Sequence, residues 1–530
     1  MTLTHPSRRW HDRPAWVDRL AGIALVLVAW HLLAVTLLES SRVVPTPGGV
    51  LRQLWHDRGS YPPNVETTLH EALVGYFWGN LIAIALGLLF ELIPVIEGPL
   101  LRLAIASFNI PLVAIAPILV VTLSGNGPKA ALAALAVFFT TLIATVLGLR
   151  SADKTSLELV RAYGGGTSTA LRKVKLWAAL PSVFAGLRIA APAALLGAVI
   201  GEFLGANQGL GVAMINAQSS FVVARTWAIA LVISALAGAL YLIASALARL
   251  LTPWAGQTDL GVATIFQPAD SGDTRTRLLR AIALFAASIA VMIGAWYALI
   301  RGFDLNPFFA KDPEAVYRFL FTVEDAGEHR SVLLDALRQT LEDAVAGYVI
   351  GMVAAILAAI VVVLSPAVEQ AVMPVAIALR SVPLVALTPL IALLFGRGFC
   401  GVTVVVGLVT FFPTLVNVGV GLRSAPSLAC DVVRAAGGES MMAIRKVRLP
   451  YAVPALFASA RIAAPAAIGG ATLAEWLATG KGLGSLLVIS YSASNFNVLW
   501  SGAVLIVAVS VAVYSLVGVI EGLVIARMRG

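Results

Sequence analysis

Long stretches without a charged residue limit what this sequence can fold into. Eight such runs cover residues 21–38, 72–90, 103–128, 130–149, 226–248, 281–300, 344–368 and 398–422. About 20 apolar residues are needed to cross the hydrocarbon core of a membrane as a helix. Four further spans, 182–204, 370–395, 454–477 and 500–520, are read around isolated charges or within a longer uncharged run. We therefore predict an all-α membrane protein with about twelve transmembrane helices.

The charges outside these spans predict the orientation. Only 12% of the residues are charged, yet the net charge is +9, and with the N-terminus inside the alternation places 22 Lys/Arg inside and 12 outside. Basic loops facing an anionic cytoplasmic surface explain this excess better than a nucleic-acid partner does. We predict that both termini lie in the cytoplasm. The basic start also fits a signal peptide, but the apolar run is long for one, which favours an uncleaved first helix.

The sequence is a tandem repeat. Residues 68–76, Thr-Leu-His-Glu-Ala-Leu-Val-Gly-Tyr, recur at 340–348 as Thr-Leu-Glu-Asp-Ala-Val-Ala-Gly-Tyr, an offset of 272 residues. After one added residue near 396–401 the offset is 273, which pairs Glu202 with Glu475 and Trp227 with Trp500. An even number of spans in each copy relates the two copies by an axis along the membrane normal. We predict a first six-helix repeat at 1–251, a cytoplasmic linker at 252–280 and a second six-helix repeat at 281–530.

A matched cytoplasmic segment follows the fourth span of each repeat. Residues 158–164 read Glu-Leu-Val-Arg-Ala-Tyr-Gly and are followed, nine residues later, by Val-Lys-Leu-Trp. Residues 431–437 read Asp-Val-Val-Arg-Ala-Ala-Gly and are followed, again after nine residues, by Val-Arg-Leu-Pro. This pattern predicts a short helix, a glycine turn and a second helix that re-enters the membrane. An ordinary basic loop is the alternative, although the spacing is kept twice.

This segment resembles the signature loop of ABC importer permeases. Residues 378–389, Phe-Phe-Pro at 411–413, and Glu202 with its downstream Gly-Leu-Gly also resemble the sulfonate, taurine and nitrate branch of type I, binding-protein-dependent importers. The resemblance covers about residues 44–248 and 319–530 and implies two permease domains fused in one chain. It implies coupling loops at about 150–181 and 423–454, with coupling residues at Glu158, Arg161, Gly164, Asp431, Arg434 and Gly437. Trp177, where proline is usual, indicates that the first repeat is the more diverged.

The resemblance also implies a location in the bacterial inner membrane, and it implies partners. It predicts two ATPase subunits on the cytoplasmic side, an extracytoplasmic solute-binding protein that contacts Lys481, and membrane lipid, with no nucleic acid. The sequence has no Gly-x4-Gly-Lys-Ser/Thr phosphate loop, so ATP and magnesium are expected on the partner ATPase subunits. We expect no cofactor and no catalytic residue in this chain. We also expect no metal site, because Cys400 and Cys430 lie at opposite ends of one span.

Charged residues inside the spans are the candidates for a transport pathway, because an unpartnered charge in lipid is costly. Arg188 precedes Glu202, and Arg461 precedes Glu475, by 14 residues, or about 21 Å along a helix. The arginines are expected to snorkel toward the cytoplasm, and the glutamates either bond at the outer interface or line the pathway. Arg380 lies near mid-bilayer. Arg380, with Ser381 beside it and Asn109 in the other repeat, would suit the binding of an anionic substrate. The alternatives are that Arg380 snorkels or forms a structural ion pair.

Three classes of function are compatible with this architecture. An ABC importer permease for a small anionic solute explains the doubled loop, the repeat and the missing ATP site. A twelve-helix secondary transporter is the alternative, but it does not require two matched cytoplasmic loops. A membrane-embedded enzyme would need a cluster of catalytic residues, and the two glutamates alone do not supply one.

Overall fold

The computed structural model describes residues 44–93, 95–97, 100–101, 111–254, 289–298, 300–302, 304–365, 368 and 384–529, with scattered residues between 24 and 36. The described residues are helical and contain no strand. The chain is therefore an all-α protein, as the charge-free runs predict. A shorter apolar helix, Ile289–Gly302, precedes the labelled helices of the second repeat.

The helices of the first repeat follow one another with short connections, and we number them in chain order. They are α1 (Pro47–His56), α2 (Tyr61–Leu92), α3 (Leu112–Thr122), α4 (Gly127–Arg150), α5 (Lys154–Ala162), α6 (Thr167–Glu202), α7 (Leu210–Ser219) and α8 (Val223–Leu251). The second repeat has short and long helices in the same order. Its helices are α9 (Pro313–Phe321), α10 (Ala326–Leu364), α11 (Leu384–Phe395), α12 (Phe399–Arg423), α13 (Ser427–Ala435), α14 (Ser440–Leu477), α15 (Gly482–Ser492) and α16 (Phe496–Arg529).

Eight helices among the described residues are long and apolar enough to cross a membrane, namely α2, α4, α6, α8, α10, α12, α14 and α16. Each falls on one of the twelve predicted spans. The other four predicted spans, 21–38, 103–128, 281–300 and 370–395, lie wholly or partly outside the described residues. In two of them only the short helices α3 and α11 are described. The predicted linker, 252–280, lies almost entirely outside the described residues, so the domain boundaries stay predictions.

Small residues allow the long helices to pack closely. At Gly75 in α2 a side chain would overlap the backbone of α4 at Ala130, and at Gly347 in α10 a side chain would overlap Val406 in α12. Close approach of small residues is how helices gain contact area in lipid, where the hydrophobic effect does not drive them together. Both helix pairs therefore pack closely in the same way in the two repeats.

Each repeat extends one short helix against the other. The first repeat's α3 packs on α4 and α6 of its own repeat and also on α14, α15 and α16. The second repeat's α11 packs on α12 and α14 of its own repeat and also on α6, α7 and α8. The rings of Phe203 and Trp476, which directly follow Glu202 and Glu475, lie in edge contact with their centroids 5.8 Å apart. The ends of α6 and α14 are therefore neighbours on one face of the molecule. The repeats have parallel topology, as predicted.

Candidate functional site

The predicted coupling loops form the same turn in both repeats. Helix α5 begins at the cap of Asp153, whose carboxylate accepts a hydrogen bond from the Ser156 N–H at 2.9 Å. The turn that terminates α5 contains Gly164, which has φ +73°. The N–H groups of Gly164 and Gly165 donate to the carbonyls of Arg161 and Val160, respectively, both at 2.9 Å. These two bonds define a Schellman turn, which favours glycine at the left-handed position.

The second repeat reproduces this turn bond for bond. Gly437 has φ +79°, and the N–H groups of Gly437 and Gly438 donate to the carbonyls of Arg434 and Val433 at 2.9 Å. A Cβ atom at Gly164 or Gly437 would meet no atom within 4 Å. The two glycines are therefore required by backbone conformation and not by local crowding.

Apolar and charged side chains project from both loop helices into the surroundings. Leu159 and Tyr163 on α5 are 59% and 85% exposed, and Leu428 and Val432 on α13 are 76% and 64% exposed. The predicted coupling residues Glu158, Arg161, Asp431 and Arg434 are exposed as well. In α13 Arg434 pairs with Asp431 at 3.2 Å. An exposed mixed surface of this kind indicates an interaction site.

Each loop helix is followed by a helix that enters the membrane without a break. One π-helical turn, at Leu171–Lys175 in α6 and at Ile444–Arg448 in α14, marks the transition in each copy. Lys175 in the first of these turns forms an ion pair with Glu91 at the end of α2. This turn therefore joins α6 to the end of α2.

At the opposite face, each predicted glutamate caps the next helix along the chain. Glu202 accepts hydrogen bonds from Thr68 Oγ1 on α2 and from the Gly211 N–H at the start of α7, both at 2.5 Å. The Leu210 N–H donates to Thr68 Oγ1 at 2.9 Å. One carboxylate and one hydroxyl thus fix the end of α6, the start of α7 and the side of α2. We call this arrangement the glutamate cap.

The second glutamate cap has the same three bonds. Glu475 accepts from Thr340 Oγ1 at 3.0 Å and from the Gly484 N–H at 2.8 Å, and the Leu483 N–H donates to Thr340 Oγ1 at 2.9 Å. Glu202 is 1% exposed and Glu475 is fully buried. Anionic groups are stabilised at helix N-termini. Capping explains why both glutamates follow an apolar span.

The acidic neighbours of the two caps differ. In the first repeat Glu71 is buried and lies 3.3 Å from the ammonium group of Lys129. Asp343 occupies the position of Glu71 in the second repeat, but Val402 occupies that of Lys129. Among the described residues, Asp343 has only a hydrogen bond from Gln339, at 3.3 Å, and no cationic partner. The buried ion pair belongs to the first repeat alone.

A second difference lies at the same face. Arg225 forms a bidentate ion pair with Asp57 at 2.7 and 2.9 Å, and its guanidinium holds the pKa of Asp57 below the usual range. His329 and Val498 occupy these positions in the second repeat. There an open groove of about 390 Å³ lies between α10, α15 and the start of α16.

The remaining predicted residues divide into two groups. Lys481 is exposed and directly precedes α15. Asn109, Arg380 and Ser381 lie outside the described residues. Sequence reasoning selected Glu202 and Glu475 but missed Thr68 and Thr340, their hydroxyl partners. The signal was available, because the repeat alignment pairs these two threonines directly.

The geometry defines a class of protein, a multi-pass α-helical membrane protein with two parallel repeats, each with an exposed loop helix. A family model described as "Binding-protein-dependent transport system inner membrane component" matches residues 79–257 and 347–530, well over half of the chain. The chain belongs to this family of ABC transporter permeases. The tandem arrangement predicted from the sequence is confirmed.

Individual relatives match about one repeat each. A probable ABC transporter permease protein of Haemophilus influenzae is 31% identical over 220 residues, 41% of this chain and 90% of the relative. The riboflavin transport system permease protein RibX of Chloroflexus aurantiacus is 32% identical over 157 residues, 30% of this chain and 59% of the relative. The taurine transport system permease protein TauC of Escherichia coli is 27% identical over 246 residues, 45% of this chain and 90% of the relative.

The glutamate cap predicts that alanine destabilises the protein to different extents at two neighbouring glycines. Gly480 and Gly482 both have positive φ, +71° and +82°, but only at Gly482 would a Cβ overlap the carboxylate of Glu475. Gly480→Ala should cost about 1–2 kcal/mol of unfolding free energy from backbone strain. Gly482→Ala should cost about 1–3 kcal/mol more, because the buried carboxylate loses hydrogen bonds. Thermal unfolding of both variants in detergent measures the difference, and equal losses would contradict the cap.

The buried ion pair of the first repeat gives a second prediction. Lys129→Met should lower the unfolding free energy by about 3–5 kcal/mol, because it leaves Glu71 buried without its cation. The double variant Lys129→Met/Glu71→Leu should regain much of this loss. Arg338→Met is the matched control, since its ion pair with Glu342 is exposed and should contribute less than about 1 kcal/mol. A small loss for Lys129→Met and no recovery in the double variant would refute the pairing.

Proposed function

We propose that this chain supplies the whole membrane pathway of an ATP-driven importer, with its two repeats in the places of two separate permease subunits. The observation that carries the proposal is the pair of matched loop helices on one face. Relatives of about one repeat in length support it, because a fused chain then holds two permease units. The family implies ATPase and solute-binding partners in general, and we propose two ATPase subunits, one for each of α5 and α13.

The proposed coupling follows from the continuity of the helices. Two ATPase subunits that close on nucleotide would move α5 and α13 together. The Schellman turns fix the angle of each loop helix, and α6 and α14 extend from the turns into the membrane. Because packed helices move as rigid bodies, such displacements would open the pathway alternately to the two sides. ATP and magnesium would be bound entirely by the partner subunits.

We assign the cap face to the outside and to the solute-binding protein. This assignment places the loop helices and both termini in the cytoplasm of a bacterial cell, in agreement with the Lys/Arg distribution. The exposed Lys481 and the groove beside α15 would then belong to the docking surface. Because this groove lies in the second repeat, we expect one lobe of the binding protein to contact it.

The substrate we propose is a small anion, of the sulfonate or nitrate type or an organic acid. Arg380 with Ser381, and Asn109 from the other repeat, are the candidate ligands. The support is a mid-span cation present in one repeat only and the likeness to a taurine permease. Glu202 and Glu475 are further pathway candidates. Their burial in the glutamate caps favours a role in holding the outer ends of α6 and α14.

A twelve-helix secondary transporter is the competing function. Uptake into proteoliposomes containing this chain, the ATPase subunits and the binding protein separates the two. We expect uptake to require enclosed ATP and to persist when ion gradients are collapsed. Uptake that follows an ion gradient and ignores ATP would establish the competing function.

Substitution of the loop glycines tests whether the loop helices couple ATP hydrolysis to transport. Gly164→Val and Gly437→Val should reduce ATP-driven uptake by about tenfold or more, because a side chain at positive φ costs about 1–2 kcal/mol and turns the loop helix away from its docking angle. Gly166→Val is the matched control, since Gly166 has φ −82° and open space around it. All three variants should insert at normal levels. Normal uptake by both positive-φ variants would exclude the coupling role.

Arg380 gives a test of the substrate class. Arg380→Gln removes the charge and Arg380→Lys keeps it, so Gln should impair uptake of an anion far more than Lys. Uptake and melting temperature are measured together in the assembled complex. A structural ion pair would instead show itself as lost stability in the Gln variant, by about 3–5 kcal/mol. Equal uptake by wild type and Gln would remove Arg380 from the pathway.

A further inference from the structure

The two intramembrane arginines occupy matching positions with different surroundings. Arg188 on α6 and Arg461 on α14 correspond in the repeat alignment, as do Tyr241 on α8 and Tyr514 on α16. Each guanidinium lies over its tyrosine ring, at 5.7 Å from the centroid for Arg188 and 4.3 Å for Arg461. Each repeat therefore has a cationic site, between α6 and α8 in the first repeat and between α14 and α16 in the second.

In the second repeat the chain supplies the counter-ion. Arg461 lies 3.6 Å from the carboxylate of Glu521, and both side chains are largely buried. Its guanidinium also packs over Gly518, where a Cβ would lie 3.3 Å from it. The cation of this repeat is thus neutralised by a residue seven positions beyond Tyr514.

In the first repeat these positions carry no acid. Ala248 stands in the place of Glu521, and Arg249 stands in the place of Gly522. Where the second repeat has an arginine and a glutamate, the matching positions of the first repeat thus hold an arginine and no acid. Among the described residues Arg188 has no carboxylate partner. Ser245 replaces Gly518, and within the described part of the chain its buried Oγ has no hydrogen-bond partner.

The position of this site indicates where an anion would come from. Ala248 lies 21 residues beyond Trp227 on α8, about 30 Å along the helix and hence near the membrane boundary on the loop-helix face. The flank of α8 beside it exposes Leu242, Ile243, Leu247 and Leu250. Such an apolar flank faces lipid. The site thus lies at the headgroup level of the bilayer, beside a lipid-facing flank of α8.

We propose that Arg188, with Ser245 and Arg249, binds the phosphate of an anionic phospholipid in the leaflet on the loop-helix face, in the place that Glu521 fills in the second repeat. A guanidinium binds phosphate oxygens through two parallel hydrogen bonds, and a hydroxyl and a second cation complete the set. Basic pockets between membrane helices are suited to lipid headgroups. The proposal rests on the repeat structure and not on the proposed transport function.

The test is a lipid titration of the purified full-length chain in detergent, read as melting temperature and as bound lipid by native mass spectrometry. Dioleoyl phosphatidylglycerol should raise the melting temperature by about 2 °C or more and remain bound, whereas dioleoyl phosphatidylcholine should not. Arg188→Gln should abolish this response. Ala248→Glu should raise the melting temperature without lipid and abolish the response, because it supplies the internal acid. Arg461→Gln is the control, with lowered basal stability and an unchanged lipid response.

Three results would overturn the proposal. The same stabilisation by inorganic phosphate alone would assign the site to a free anion. An unchanged phosphatidylglycerol response in Arg188→Gln and Ala248→Glu would place lipid binding elsewhere. No lipid response in wild type would show that the chain itself supplies the counter-ion of Arg188.

Discussion

Polar groups buried in a membrane must find partners within the protein, and the glutamate caps meet this requirement where the chain needs it most. Helices α6 and α14 end beside the glutamate caps, and each is followed at once by a short helix whose first N–H groups would otherwise be unsatisfied. One carboxylate and one threonine hydroxyl bind those groups in each repeat. Because the contact of Phe203 with Trp476 directly follows the two caps, the caps also fix how the repeats meet.

The structure is therefore an approximate two-fold arrangement with local departures. The loop turns and the caps are kept in both repeats, so both are needed twice. Among the described residues, three features each occur in one repeat only: the buried ion pair of Lys129, the pair of Asp57 with Arg225, and the counter-ion of the intramembrane arginine. A fused chain never forms a dimer of identical halves, so its two copies are free to change separately. The loop of the first repeat also differs at Trp177, where the second repeat has Pro450.

Much of this architecture could be predicted from the sequence. Uninterrupted apolar runs predicted the long helices, and the constant offset predicted the tandem, because both depend on local composition and order. Positive φ at Gly164 and Gly437 followed from the position of glycine after a short amphipathic segment. Partners far apart in sequence could not be predicted in this way. Thr68 and Glu202 are separated by 134 residues, and only helix packing brings them together. The pairing of Arg461 with Glu521 likewise depends on which helices are neighbours.

The central claim is that the repeats are parallel, with both loop helices on one face and both caps on the other. Single cysteines at Tyr163, Val432, Asn207 and Lys481, in a chain with Cys400 and Cys430 replaced by serine, test it with a membrane-impermeant thiol reagent. In spheroplasts the account predicts labelling at positions 207 and 481 and protection at 163 and 432, with the reverse in inside-out vesicles. Labelling of positions 163 and 432 from opposite sides would show inverted repeats and contradict the account.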